Sequence, residues 1–237
     1  SAEHAAHRVG RLLVARVDHG QLVLAAESRV TPGKLTIGTG LPAYEPWVVG
    51  DAPESGEGFE AAVAYAIAAE LGFAAEDVVW VRTTFDEAIA PGAKNFDFNL
   101  QQYTITEERK ANVDFSDPYY TTTQTVITVA GSAAENAASL ADLKELLVGA
   151  ASATTSFTAI EEFITPTAGA QAFNSNDDAK AALQSGQLDA LVVDLPTALY
   201  LTCCDLTDGK ILGQITGAEG GDSFGLVLDK GSSLTAA

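Results

Sequence analysis

From Lys34 onward, short apolar runs alternate with amphipathic stretches along the chain. This alternation predicts an α/β fold built on mostly parallel sheet. The predicted strands are 35–39, 78–81, 96–100, 123–129, a segment around 148, 188–193 and 224–228. The predicted helices are 58–71, 85–90, a segment from 139, 154–163 and 176–186. The first helix is the clearest, because apolar residues recur four apart on one face. These residues are Phe59, Val63, Ile67 and Leu71.

Composition places the chain among folded globular proteins, since 47 % of its residues are hydrophobic and 19 % are charged. No apolar run approaches the roughly 20 residues that cross a bilayer. The formal net charge is −19, from 32 acidic and 13 basic residues. Such a charge repels nucleic acid and anionic lipid, so neither is an expected partner. We interpret the acidity as a solvated surface rather than as a cation-binding site.

The histidines and cysteines suggest no metal or redox chemistry. His4, His7 and His19 lie within the first twenty residues, without a cysteine or acidic cluster at ligand spacing. We therefore expect no metal site and no cofactor. Cys203 and Cys204 are adjacent, and a ring closed between neighbours is strained, so both are predicted to be free, buried thiols.

Ligand sites in open α/β sheets lie beyond the carboxyl ends of strands, so the residues that follow strands are the candidates. They are Tyr44 and Trp47 after the first strand, Gln101, Gln102, Thr104 and Arg109 after the third, Thr154 and Thr155 after the fifth, and Asp194 after the sixth.

These residue types fit opposite ends of a small zwitterion. Arg109 offers a planar fork of donors for a carboxylate, and the helix start at 154–155 adds backbone N–H groups for the same anion. Asp194 follows an apolar strand, so its carboxylate needs a cation or strong donors nearby. Tyr44, Trp47 and Phe85 could supply aromatic faces around the rest of the ligand.

Each candidate also has a purely structural explanation. Arg109 could pair with Asp114 or Asp117 across the following turn. Thr154 and Thr155 could simply cap a helix, and Asp194 is an equally good N-cap. Phe85 is an ordinary core residue type. Only the combination favours a binding site.

The order of several short motifs resembles the polar amino-acid solute-binding proteins of ABC importers. The motifs are Gly58-Phe-Glu, Ala69-Glu-Leu-Gly72, Phe96-Asp-Phe, Thr104-Ile-Thr-Glu-Glu-Arg109, Val113-Asp-Phe-Ser-Asp-Pro-Tyr119 and Val192-Val-Asp194. The likeness runs from about Gly33 to Thr235. The wording around 91–94 and 194–198 further resembles an actinobacterial branch of that family.

The resemblance implies the periplasmic-binding-protein, or Venus-flytrap, fold: two α/β lobes joined by two hinge strands that close on one ligand. Lobe 1 would hold residues 1–122 and 221–237, and lobe 2 would hold 123–220. The hinges would fall near 121–124 and 220–223. The family continues past the equivalent of residue 237 through two helices, which are missing here. We hypothesise that the atypical N-terminal extension, residues 1–31, fills the surface that they cover; the alternative is an unrelated or tag-derived extension.

The resemblance also implies a role for each candidate. Arg109 would clamp the ligand α-carboxylate with help from Thr104 and Thr155, and Asp194 would take the α-ammonium. Phe85 and Tyr44 match the positions that flank the ligand side chain.

Departures from the family's pattern bear on specificity. Gly40-Leu-Pro-Ala stands where an acidic residue often reads a basic side chain, so preference for Arg or Lys loses support unless Glu45 substitutes. Gln101 and Gln102 stand where small hydroxyl residues are common, which implies a smaller or amide-lined pocket. Ala153 replaces a usual glycine.

The resemblance therefore implies an extracytoplasmic receptor, free in a periplasm or lipid-anchored, that captures an amino acid and delivers it to an ABC-importer permease. It would be a monomer and would catalyse no reaction. One alternative is an enzyme on the same scaffold, of the cyclohexadienyl or arogenate dehydratase type, with Glu161 or Glu162 as general acid. Another is the input domain of a sensor.

Overall fold

The structure is a computed structural model that describes residues 30–215 and 221–236. Its strands are β1 (Leu35–Gly40), β2 (Val78–Thr83), β3 (Phe98–Asn99), β4 (Asp114–Phe115), β5 (Tyr120–Thr122), β6 (Gln124–Val129), β7 (Val148–Ala151), β8 (Gln171–Phe173), β9 (Ala190–Asp194), β10 (Gly209–Gln214), β11 (Asp222–Phe224) and β12 (Val227–Leu228). They form two five-stranded sheets and one two-stranded sheet. The two large sheets define what we call lobe 1 and lobe 2.

The helices lie between these strands in the order expected of an α/β chain. They are α1 (Phe59–Glu70), α2 (Phe85–Ile89), α3 (Glu107–Lys110), α4 (Thr155–Ala159), α5 (Asn176–Gln184) and α6 (Leu195–Tyr200). Short 3₁₀ segments cover Val49–Asp51, Pro53–Ser55, Ala75–Asp77, Leu140–Leu143 and Ser233–Ala236, and π turns cover Ile160–Ile164 and Leu201–Asp205. No helix in the described ranges is long and apolar enough to cross a membrane.

The sheet of lobe 1 has the order β2-β1-β3-β12-β4. β1 is parallel to both β2 and β3, with Ile37 opposite Trp80 on one side and Phe98 on the other. β12 is antiparallel to both β3 and β4. The sheet of lobe 2 has the order β10-β6-β9-β7-β8, with β7 parallel to its neighbours and β6 antiparallel to its own.

The two-lobed α/β architecture is confirmed, and four of the five strands in each large sheet run in the same direction, as expected of mostly parallel sheet. One strand in each sheet, β12 in lobe 1 and β6 in lobe 2, runs the other way. Parallel neighbours need a long crossover, usually a helix. β6 enters lobe 2 directly from the hinge and β12 leaves the hinge after only two residues, so both run antiparallel to their partners.

The two connections between the lobes pair with each other. β5 and β11 form an antiparallel two-stranded sheet, with Thr122 opposite Asp222 and Tyr120 opposite Phe224. The chain therefore crosses between the lobes at two adjacent strands, as the resemblance implied. The predicted domain limits stay a prediction, and the hypothesis for residues 1–31 concerns a segment that, up to residue 29, lies outside the described residues.

The first helix, α1, is found where the periodicity predicts it, but its buried face differs. The fully buried positions are Glu60, Ala61, Ala64 and Ala68, whereas Phe59 is 41 % exposed. Val63 and Ile67 cover the edge of the lobe-1 core without being enclosed by it. Small alanines let the helix lie close to the sheet, so the larger apolar residues flank the contact.

The cysteine expectation is wrong. Cys203 and Cys204 form a disulfide between neighbouring residues, on an exposed π turn that follows α6. Ring strain was expected to keep the two neighbouring thiols from bonding, but the eight-membered disulfide ring is formed here.

Candidate ligand-binding site

A cavity of about 280 Å³ lies between the two lobes at the carboxyl ends of their strands. Nine of the ten predicted site residues line it: Tyr44, Phe85, Gln101, Gln102, Thr104, Arg109, Thr154, Thr155 and Asp194. Trp47 does not line it. Ligand pockets of roughly 300 to 1,000 Å³ hold drug-sized molecules, so this cavity matches a smaller solute such as a single amino acid.

Arg109 lies on α3 and reaches across the cleft. Thr106 caps that helix through its hydroxyl, which accepts the Arg109 backbone N–H (3.1 Å). In the side chain, Nη1 donates to the carbonyl of Thr104 (2.7 Å) in lobe 1, and Nη2 donates to the carbonyl of Ala153 (2.7 Å) in lobe 2. The guanidinium stands 5.2 Å from the ring centre of Phe85. Two of its five N–H groups are thus used, and the others can serve a further acceptor.

Arg109 is 7 % exposed, and burial lowers its pKa from the usual value. A guanidinium remains charged even so. The suggested structural partners are not used: Asp114 pairs with Lys230 (3.0 Å) instead. A buried cation held only by carbonyls is a strong attractor for an anion.

Thr155 connects the two lobes through hydroxyl and carboxylate groups. Its hydroxyl lies 3.2 Å from that of Thr104 and donates to Oδ2 of Asp222 in the hinge (3.0 Å). Nε2 of Gln124 donates to both the Thr155 hydroxyl (3.2 Å) and Asp222. Thr154 beside it caps α4, because its hydroxyl accepts the N–H of Phe157 (3.2 Å).

Asp194 ends β9 and caps α6. Its Oδ1 accepts the backbone N–H of Thr197 (3.1 Å), and its Oδ2 accepts the Thr197 hydroxyl (2.8 Å). Burial raises the pKa of Asp194 to about 6, although the Thr197 bonds oppose that rise. Asp194 is therefore both the N-cap of α6 and part of the cavity wall.

Trp47 supports Asp194 from behind the cavity. The indole is buried, and its Nε1 donates to the hydroxyl of Thr197 (3.0 Å), which in turn donates to Asp194. Its ring meets Tyr120 and Phe224 of the hinge edge-on, with centroids 5.3 and 5.7 Å away. Trp47 was predicted to offer its ring to a ligand. Instead it packs against the hinge and links lobe 1 to the α6 cap of lobe 2 through its N–H group.

Two glutamines form the lobe-1 floor. Gln101 is held by Tyr103, whose hydroxyl donates to its Oε1 (2.8 Å), and a Cβ at Gly40 would lie 2.9 Å from its Nε2. Gln102 has a positive φ of 51° and rests on the buried carboxylate of Glu60. On the opposite rim, Tyr44 lines the cavity together with Ser175 and Asn176 of lobe 2. Burial and then the carboxylate of Asp177 raise the pKa of Tyr44.

Sequence reasoning missed several residues of this site. Gln124 and Asn174 line the cavity, and Asp222 and Glu60 support it from outside. Gln124 and Asp222 each open a strand, so the position after a strand does not identify them. Glu60 stands in a helix first turn, where an acidic residue is usually explained by the helix dipole. Within the described ranges, no cluster of His, Cys, Asp and Glu could hold a metal ion.

The alternative candidates lie elsewhere. Glu161 and Glu162 are exposed on the π turn after α4, and neither lines the cavity. Glu45, which could have replaced the acidic residue of the family, accepts the backbone N–H of Gly50 (3.2 Å) and does not line the cavity either.

The known proteins that this chain resembles in sequence include amino-acid-binding proteins. The chain is 29 % identical to the L-arginine-binding protein of Pseudomonas aeruginosa over 198 residues, covering 81 % of this chain and 74 % of that protein. It is 32 % identical to the ABC transporter glutamine-binding protein of Bacillus subtilis over 189 residues, covering 78 % of this chain and 66 % of the relative.

Solved structures agree on the fold. An ancestral arginine-binding protein bound to glutamine is 32 % identical, with a TM-score of 0.72 over 86 % of this chain and 87 % of that one. An ancestral amino acid-binding protein described as a precursor of cyclohexadienyl dehydratase is 31 % identical, with a TM-score of 0.69 over 86 % and 87 %. Residues 35–192 match the bacterial extracellular solute-binding proteins, family 3. With that match and the two-lobed cleft, the chain belongs to this family of solute-binding proteins.

Proposed function

We propose that the protein captures one free amino acid between its lobes and delivers it to an ABC importer. The single observation that carries this proposal is that Arg109 of lobe 1 and Asp194 of lobe 2 line one cavity sized for a small solute. A cation and an anion on opposite walls match the two charged groups that every free amino acid has.

Arg109 would bind the α-carboxylate. Three of its N–H groups are left after the two carbonyl bonds, enough for a bidentate pair with a carboxylate. The Thr104 and Thr155 hydroxyls, 3.2 Å apart, stand beside it and belong to different lobes. A carboxylate bound there would therefore contact both lobes at once and favour the closed arrangement.

Asp194 would bind the α-ammonium. Both of its oxygens are already oriented by Thr197, so the carboxylate is held in place before a ligand arrives. A carboxylate with a raised pKa gains most from a nearby cation, because the cation offsets the cost of its burial.

The cavity wall favours a ligand with a neutral side chain. Arg109 and Asp194 are the charged residues that line it within the described ranges, and both are used by the ligand's main-chain groups. The remaining wall includes the apolar residues Leu41 and Pro42 and the amides of Gln101 and Asn174. A guanidinium or ammonium side chain would find no carboxylate partner, so we propose a neutral polar amino acid such as glutamine.

The structure has the contacts of a closed receptor. Arg109 to Ala153, Thr104 to Thr155 and Trp47 to Thr197 are all hydrogen bonds between the lobes. A ligand that binds only this arrangement would shift the population toward it. The paired hinge strands allow such motion without breaking either large sheet.

We propose that binding is not followed by chemistry. The relatives named above are binding proteins, and the two carboxylates suggested as general acids do not line the cavity. One similar solved structure is an ancestral amino acid-binding protein described as a precursor of cyclohexadienyl dehydratase. Turnover of prephenate-like substrates is therefore the second candidate to test. Residence outside the cytoplasmic membrane and a partner permease follow from the family.

A thermal-shift panel of the twenty amino acids tests the proposal. A ligand that binds only the folded protein stabilises it by mass action and so raises Tm. At a hundredfold excess over Kd the free energy of unfolding rises by about 2.7 kcal/mol. We expect the largest rise with L-glutamine or L-asparagine and a smaller one with L-arginine. An unchanged Tm with all twenty would contradict the receptor function, and the largest rise with L-arginine would contradict the proposed side-chain class.

A further inference from the structure

A buried carboxylate lies directly behind the lobe-1 wall of the cavity. Glu60 is on the first turn of α1 and is 1 % exposed. Its Oε1 accepts the backbone N–H of Gln102 (2.8 Å), and its Oε2 accepts the side-chain Nε2 of Gln102 (2.6 Å). The hydroxyl of Tyr119 donates to Oε1 as well. A carboxylate with three donors is well satisfied, whereas a leucine of similar size could not hold these groups.

Gln102 needs this support because its backbone is in the left-handed region, with φ at 51°. Such a conformation costs roughly 1–3 kcal/mol for a residue other than glycine. The two bonds from Gln102 to Glu60 stabilise it, and they also fix the direction of the side chain that lines the cavity.

The same carboxylate is connected to the hinge. Tyr119 immediately precedes β5, and its backbone N–H donates to the carbonyl of Phe224 in β11 (2.9 Å). Glu60 thus contacts, through its Oε1, a cavity residue and the residue immediately before a hinge strand.

We propose that Glu60 is a positioning residue, which holds Gln102 at the cavity and Tyr119 at the hinge in one arrangement and thereby sets the affinity for the bound amino acid. Its contribution to affinity rests on the proposed function. Its effect on Gln102 does not.

The charges around Glu60 predict how this role responds to pH. The groups that face it are the phenols of Tyr119 and Tyr103 and, from lobe 2, the carboxylate of Asp194. Burial raises the pKa of Glu60 to about 7, with a smaller rise from Asp194. An ammonium bound at Asp194 would counter that repulsion and favour the charged form of Glu60. Binding should therefore release protons near neutral pH, and affinity should rise between pH 6 and 8.

The first test needs no ligand. We would measure hydrogen exchange at the Gln102 backbone N–H by NMR in the wild type, in Glu60→Gln, in Glu60→Ala and in Glu70→Gln, an exposed glutamate on the same helix. We expect exchange at least about tenfold faster in Glu60→Ala, and wild-type exchange in Glu70→Gln. Unchanged protection in a folded Glu60→Ala protein would overturn the positioning role. If that variant does not fold, exchange at both the backbone and the side-chain N–H groups of Gln102 is compared between Glu60→Gln and Glu70→Gln, because a glutamine offers one acceptor oxygen where the carboxylate offers two. Faster exchange at either group in Glu60→Gln supports the role, and equal exchange at both overturns it.

The second test uses calorimetry with L-glutamine between pH 6 and 8. In the wild type we expect affinity to rise with pH, by at most tenfold per unit for one proton, and the heat to depend on the buffer's ionisation enthalpy. Glu60→Gln should show a flatter profile and several-fold weaker binding at pH 8. A Glu60→Gln profile that matches Glu70→Gln would overturn the affinity role. If the wild type itself does not bind L-glutamine, the proposed ligand is wrong while the exchange test still decides the positioning of Gln102.

Discussion

The two walls of the cavity are built in opposite ways. In lobe 2, Thr154 and Asp194 are held by hydrogen bonds to residues three positions later, so each is fixed by its own helix start. In lobe 1, Gln102 is held by Glu60, forty-two positions earlier, and Gln101 lies against Gly40 from another strand. The caps at Thr154 and Asp194 are local, whereas the support of Gln102 by Glu60 exists only after lobe 1 has folded.

This difference has a consequence for mutation. A capping residue can be replaced by another capping residue with its geometry kept, so its ligand role can be separated from its structural role. A residue in a buried network cannot be changed without leaving a partner unsatisfied. Variants of lobe 2 that keep the cap should thus alter affinity alone, whereas variants of the buried network in lobe 1 should alter affinity and stability together.

Arg109→Ala should have the largest effect and should act on both properties. It removes the proposed carboxylate partner and leaves two buried carbonyls without donors. We expect affinity for L-glutamine to fall by about 2–5 kcal/mol, measured by calorimetry, together with a lower Tm. The neighbouring exposed Lys110→Ala is the matched control and should change neither by much. Wild-type affinity in Arg109→Ala would refute the assigned role.

Asp194→Asn should separate the two roles in lobe 2. Asparagine caps helices as well as aspartate does, so stability should change little, while the proposed ammonium loses its counter-charge. We expect affinity to fall by about 1.5–3 kcal/mol with a Tm near that of the wild type. Asp194→Ala should lower the ligand-free Tm as well, because the cap is lost. An equal Tm loss in both variants would mean that the carboxylate charge itself stabilises lobe 2.

The stability of the ligand-free protein should depend on pH through one carboxyl group from each wall, Glu60 in lobe 1 and Asp194 in lobe 2. The pKa of Glu60 is raised to about 7 and that of Asp194 to about 6, both above their unfolded values. For such acids the stabilisation is full below the unfolded pKa, near 4, and is lost as pH rises through 6 and 7. We expect the free energy of unfolding to fall from pH 5 to pH 8, by on the order of 1–3 kcal/mol, and Tm to fall with it. Glu60→Gln should flatten the part near pH 7, and a wild-type Tm that rises over this range would contradict the raised values.

Trp47→Phe tests the contact between the walls. It keeps an aromatic ring against the hinge but removes the indole N–H that donates to Thr197. If this bond favours closure by about 1 kcal/mol, affinity should fall roughly fivefold while the lobes remain folded. The exposed Phe59→Leu, which changes a neighbouring ring, serves as control. Equal effects from both variants would show that ring packing, and not the hydrogen bond, is responsible.

Ala153→Gly should have the smallest effect. Ala153 has a φ of 57°, where glycine is unstrained, and only its carbonyl contacts Arg109. We expect the free energy of unfolding to rise by at most about 1 kcal/mol, seen as a small gain in Tm, and the affinity for L-glutamine to stay unchanged. A marked loss of affinity would indicate that the added freedom displaces that carbonyl.

The predictability of the site follows the same division. Asp194, Thr154 and Thr155 come at the ends of strands and the starts of helices, and those positions are readable from apolar runs and capping residues. Arg109 could be recognised only through its motif, because for an isolated arginine pairing with Asp114 or Asp117 is the favoured explanation. The roles of Glu60 and Trp47 could not be predicted, because their partners, Gln102 and Thr197, are brought to them by the tertiary fold.

The fold shows the same limit. The helix α1 and the strand β9 follow from composition and period, but α1 turns its alanines inward, because close contact with a sheet favours small side chains over large ones. The direction of β12 depends on how the chain returns through the hinge, which no local pattern encodes.

The placement of Trp47 has an optical consequence. The chain contains two tryptophans, and Trp80 lies in β2 next to Tyr65, with no contact across the cleft among the described residues. Opening of the cleft would separate the Trp47 indole from Thr197 and expose it to water, whereas Trp80 would keep its surroundings. Intrinsic fluorescence should therefore report closure directly in the unlabelled protein, with Trp80 as a constant background.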